Sequence, residues 1–280
     1  MSATVFEFEF MRNAFFAGAV VALMAGPVGY FLVLRGQTFA GHALAHVGFT
    51  GATGAVLIGA SPLTGLIILT VAAGIGMGLF GERLNNRDVA IGLILATSLG
   101  FGLLFLHFFT SFATQATALL FGNILAISVH TIFVLLGLAI VCLGLLGFIS
   151  RPLLFSSLQP ELAEAKGVNI QFISTVFMVI VALATAASSQ IVGVLLIFAL
   201  MVGPAATAQR ITNNVQAGLA FAAVFALSET WGGLVLAYFT DWPASFWITV
   251  LSTLAFVVTH INFNSHDKIS SVASRNDKVE

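Results

Sequence analysis

Long apolar blocks separated by short polar turns run through this chain from end to end. Nine blocks stand out, at roughly 14–34, 40–60, 62–80, 89–109, 130–150, 169–188, 190–208, 215–238 and 243–262. Each is close to the roughly 20 residues that an α-helix needs to cross a hydrocarbon core. The breaks carry turn residues: Ser61-Pro62, Asn85-Asn86, Ser188-Ser189-Gln190 and Asp241-Trp242-Pro243. A tenth apolar piece, Ala118 to Ser128, is too short to span. It reads as re-entrant or interfacial, which is tolerated only where protein or a wet cavity satisfies its backbone. The pattern predicts an all-α integral membrane protein, a polytopic bundle of eight or nine transmembrane helices. The membrane domain covers 1–264, and a polar tail covers 265–280.

Composition strengthens this reading. The chain is 59% hydrophobic and 8% charged, with mean hydropathy +1.07, where a soluble domain carries about 25% charged residues. Asp, Glu, Lys and Arg are all missing from Gly36 to Gly81, from Val89 to Ser150 and from Gly167 to Gln209. A net charge of -1 offers no basic surface for nucleic acid. Cys142 stands alone in a span and reads as a packing residue. The first twelve residues lack the basic flank and cleavage site of a signal peptide, so the first span is expected to be retained.

With nine spans, Arg35, Arg83, Arg87, Arg151, Lys166, Arg210, Lys268, Arg275 and Lys278 fall on one face, and only Arg12 on the other. The positive-inside rule makes the first face cytoplasmic, with the N-terminus outside and the C-terminus inside. Trp242 and Trp247 then sit at the outer interface, as amphipathic aromatics do. Small residues cluster within spans, as in Gly51-Ala52-Thr53-Gly54-Ala55 and Gly74-Ile75-Gly76-Met77-Gly78, and read as close helix packing. Pro27 and Pro204 lie inside spans, where they kink a helix or free a carbonyl.

The chemistry centres on Gly41-His42-Ala43-Leu44-Ala45-His46. Spacing of i, i+4 sets both imidazoles on one helix face, and imidazole is the commonest metal ligand. From a helix start near Thr38, His46 lies about 12 Å along the axis. The pair lacks the glutamate of a His-Glu-x-x-His zinc protease, since Ala43 stands there, so hydrolysis is disfavoured. Two ligands make a weak site, because zinc usually takes three or four. Weak binding suits a carrier that must release its cargo. Glu229 is the one carboxylate deep in a predicted span. It reads equally as a third ligand, a proton carrier or a structural hydrogen-bonding group. His107 and His130 are single residues near outer span ends, and His260 and His266 lie near the cytoplasmic end. All four read as non-functional.

Energy must come from elsewhere. Of the three lysines, none follows glycine as a phosphate-binding loop requires, so transport would run on an ion gradient or on a separate ATPase. The longest polar loop, Arg151 to Asn169, contains a well-signalled short helix. Pro160 opens it, Glu161 and Glu164 come early, Lys166 late, and Gly167 follows. It reads as a docking knob for a soluble partner or as a plain connector.

Four stretches resemble the membrane permeases of bacterial zinc/manganese-type ABC importers: LVLRGQTFAGHALAH (Leu32 to His46), ALLFGNILAIS (Ala118 to Ser128), QPELAEAKGV (Gln159 to Val168) and IVGVLLIFALMVGPAATA (Ile191 to Ala208). Their order matches, and the resemblance covers about Phe10 to Ile261. It implies a homodimeric permease in the bacterial inner membrane, a cytoplasmic ATPase subunit and an extracytoplasmic metal-binding protein. ATP would bind only on the partner subunit, and no cofactor would be held permanently. It implies that Pro160, Glu161, Glu164 and Gly167 belong to the loop that couples to the ATPase. It also implies that the family's Asp and His of the first motif coordinate the ion. His46 matches that histidine, while His42 replaces the aspartate. An all-imidazole pair favours zinc, nickel or copper over manganese, which prefers carboxylate oxygens, unless Glu229 restores one; of these zinc is the leading expectation. Two rivals are a gradient-driven carrier with Glu229 as proton relay and a permease-like component whose histidines are structural.

Overall fold

The computed structural model describes residues 8–80, 87–108, 120, 122, 124–194 and 197–276, with side chains followed through Ile261. Among these residues ten α-helices and one 3-10 turn form, and no strand. They are α1 Glu9–Leu34, α2 Thr38–Leu57, α3 Pro62–Phe80, α4 Arg87–His107, the turn Ile124–Ala126, α5 Val129–Leu158, α6 Pro160–Ala165, α7 Ile170–Val192, α8 Ile197–Ile211, α9 Val215–Thr240 and α10 Ala244–Asn276. Nine of the ten follow the nine apolar blocks, and α6 is the short helix expected in the polar loop.

Seven helices are long and apolar enough to cross a membrane by length and composition. Two of the expected nine fall short for different reasons. α2 has 20 residues but spends many of them on glycine, threonine and the two histidines. α8 has 15, about 22 Å of helix against a core of about 30 Å. These two elements carry the first and last of the resembling motifs. Ala118, Leu119, Phe121 and Asn123 lie outside the described residues. Within it Ile124–Ala126 form the 3-10 turn.

Local sequence explains the ends. Ser128 caps α5 by accepting from Thr131 N at 3.2 Å. Asn169 caps α7 through Phe172 N at 2.9 Å, and Asn214 caps α9 through Gln216 N at 2.9 Å. Pro160 occupies the first turn of α6. Gly167, at φ 82°, closes that helix with its N–H on Glu164 O at 2.9 Å.

α1 runs through the middle of the bundle, packed by α5, α7, α8 and α9. Its contact with α8 needs glycine: a β-carbon on Gly29 would stand 1.8 Å from Met201 O. α2 lies between α3 and α4 and also touches α7 and α8. There Gly51 and Gly65 admit each other's backbone, with each β-carbon position within 2.3 Å of the opposite carbonyl oxygen. In lipid, where apolar burial gives helices no drive to associate, such backbone approach supplies the dispersion contact that holds them.

Candidate metal site

The α1–α2 connection positions the histidines. Arg35 caps α1, Gly36 turns the chain at φ 62°, and Gln37 N bonds back to Leu32 O at 2.9 Å. α2 then starts at Thr38, and its first two turns present His42 and His46. Their ring centroids lie 4.9 Å apart, at an interplanar angle of 83°. The i, i+4 spacing thus does bring the imidazoles together. His46 is buried, with 5% of its surface exposed, and its Nδ1 has no hydrogen-bond partner. His42 is half-buried, and its ring meets Phe198, in the first turn of α8, edge-on at 5.8 Å. Thr50, one turn beyond His46, donates to Ser98 O and ties this part of α2 to α4. The result is a pair of neutral-capable donors on a fixed helix, one with a buried nitrogen left unpaired. Such a nitrogen costs about 1–3 kcal/mol, a cost that a bound cation removes.

Glu229 stands apart from the pair. It is buried in the middle of α9, 4% exposed, with neither carboxylate oxygen hydrogen-bonded. The nearby hydroxyl of Ser252 donates to Ala199 O at 3.0 Å, which uses its one proton. Glu229 borders a cavity of about 640 Å³ with Phe15, Phe225, Trp231, Leu236 and Leu251. α8 touches α2 as well as α9 and α10. Among the described residues no group of three or more His, Cys, Asp or Glu side chains could jointly hold a metal. His107 ends α4 and His130 opens α5, both distant in sequence and fold from the pair.

α6 presents a second surface. Pro160, Glu161, Glu164 and Gly167 are exposed, while Ala163 is buried as its anchor. Lys166 Nζ stands 5.8 Å over the Phe155 ring and fastens the far end to α5.

Sequence reading passed over two features. Phe198 has no polar signal and becomes visible only because the α8 start meets α2. Arg35 reads as one more basic-face charge, yet it binds three serine hydroxyls from two other helices.

Comparison with known proteins agrees with this architecture over nearly the full chain. The manganese transport system membrane protein MntC of Listeria monocytogenes is 27% identical over 91% of this chain and 91% of its own length. The high-affinity zinc uptake system membrane protein ZnuB of Haemophilus influenzae is 29% identical over 90% and 97%. Among solved structures, PsaBC from Streptococcus pneumoniae in complex with Fab superposes with a TM-score of 0.81, at 29% identity over 90% of this chain and 91% of the other. The model of the ABC 3 transport family matches residues 7–262, and the chain belongs to that family.

Proposed function

We propose that this chain is the permease subunit of an ATP-driven importer of divalent transition metal ions, zinc first and manganese next. The observation that carries the reading is the imidazole pair itself: two rings 4.9 Å apart on α2, one nitrogen buried and unpaired. It lies within a family whose relatives are named for manganese and zinc uptake. Two nitrogen donors without a carboxylate favour zinc over manganese.

In this reading a metal-binding protein delivers the ion at the outer mouth, and His42 and His46 hold it within the bilayer. A separate ATPase docks on Pro160, Glu161, Glu164 and Gly167 of the α6 knob, and ATP-driven closure opens the inner side. Two copies of the chain form the pathway assembly in the bacterial cytoplasmic membrane, with α6 and the C-terminus cytoplasmic. Release follows from having only two protein ligands, since a three- or four-ligand cage would retain zinc. The family match does not favour the gradient-driven carrier.

The test is cell-associated metal across a panel of divalent ions, with the chain expressed beside its partner genes and compared with His42→Ala/His46→Ala. Selective accumulation lost in the double variant supports the reading. Equal accumulation in both removes the pair from the pathway.

A further inference from the structure

Arg35 makes a three-way contact that the imidazole pair does not explain. Its guanidinium donates to Ser156 Oγ at 3.3 Å, Ser157 Oγ at 3.0 Å and Ser174 Oγ at 2.7 Å. The first two serines end α5 and the third lies in the first turns of α7, so the arginine grips both helices that flank α6. The acceptors suit the task. Ser156 and Ser157 each donate their own proton to Leu153 O within α5, which leaves lone pairs facing the arginine. The Phe177 ring backs the guanidinium at 5.9 Å. Ser156 and Ser174 are buried, at 5% and 3% exposure, so the bonds to these two are partly shielded from water.

The arginine is also fixed to the histidine helix. It caps α1, and the only residues between it and α2 are Gly36 and Gln37. That turn is pinned by backbone bonds from Gly36 N to Val33 O at 3.0 Å and from Gln37 N to Leu32 O at 2.9 Å. His42 follows seven residues after Arg35. A displacement of the α5–α6–α7 hairpin therefore acts on the start of α2 through Arg35 and a short turn, in addition to the direct packing of α7 on α2.

We infer that Arg35 is a positioning residue that couples the partner-docking hairpin around α6 to the helix carrying His42 and His46. The inference rests on the proposed role of α6 as the ATPase contact.

The experiment uses the whole transporter in proteoliposomes, with its ATPase and metal-loaded binding protein, and Zn2+ as cargo. The readout is ATP hydrolysed per ion imported. Arg35→Gln should raise that ratio by roughly tenfold or more, the scale of losing hydrogen bonds to a charged group. Ser174→Ala removes a single acceptor without touching the turn, and should raise the ratio in the same direction by less. Arg35→Lys, which keeps the charge but loses the fork, should fall between wild type and Arg35→Gln. Metal bound per permease should stay unchanged in all three. If Arg35→Gln does not insert, Ser174→Ala and Ser156→Ala/Ser157→Ala carry the test. A wild-type ratio in the inserted variants overturns the coupling role while leaving the permease reading intact. A wild-type complex that imports no Zn2+ on ATP overturns both.

Discussion

His46 and Glu229 are buried almost equally, at 5% and 4% exposure, and both leave polar atoms without hydrogen bonds. Their neighbourhoods differ in kind. His46 has a second imidazole at 4.9 Å and an aromatic wall at Phe198 beyond it. Glu229 has phenylalanine, tryptophan and leucine around its cavity and a serine already committed to Ala199 O. An isolated ionised carboxylate is also far costlier to bury than a neutral ring. Burial and an unpaired atom thus do not by themselves make a site. A donor becomes a candidate ligand when its neighbours offer further donors toward the same point.

The largest expected effect falls on the side where donors converge. His46→Ala leaves one imidazole and should lower metal accumulation by at least about 100-fold, beyond what losing an outer-shell partner costs. Membrane insertion should be unchanged, because alanine is small and helix-favouring. Uptake assays normalised to permease level check this, and retained uptake would place His46 on a par with Glu229 as a buried structural group.

His42 sharpens the comparison by selectivity. His42→Asp replaces one imidazole of the pair with a carboxylate. The variant should move preference from zinc toward manganese, since oxygen donors suit Mn2+ better than imidazole does. Competition of the two ions for uptake measures it. A variant with the same ion preference as wild type would show that α2 does not set selectivity.

Protonation probes the imidazole side. Metal-binding imidazole must be neutral, so acid competes with the ion. Ion binding to the detergent-solubilised permease should weaken as the pH is lowered until the imidazoles gain a proton. Affinity that does not change with pH would remove the imidazoles from the site.

How much of this was legible beforehand depends on whether the cause was local. The length of the apolar blocks and the turn residues between them located the spanning helices, and Pro160 with Gly167 bounded α6 because each acts on its own backbone. The histidine pair was legible because both members lie on one helix, four residues apart. That Glu229 does not join the pair was not, since it depends on how α2 and α9 are placed in the bundle, which no local sequence signal carries. The serine grip on Arg35 spans more than 120 residues of chain and leaves no local signal. The shortness of α8 was hidden for another reason. Its residues are apolar on both sides of the Gly193 turn, so hydropathy alone does not show where α7 ends.

The smallest effect should come from Glu229→Gln. The amide keeps the shape of the side chain and removes its capacity for charge. If the acid lies off the ion path, uptake should stay within about threefold of wild type, under 1 kcal/mol in barrier terms. The solubilised variant should be at least as resistant to heat, since a neutral amide is easier to bury than an ionisable carboxyl. Thermal unfolding and uptake measured on the same preparation distinguish two outcomes. Wild-type transport with equal or higher stability keeps the acid in its apolar pocket as a structural group. A transport loss comparable to that of His46→Ala would mean that the two regions join into one site during the cycle, so that the separation seen here belongs to a single conformation of the pathway.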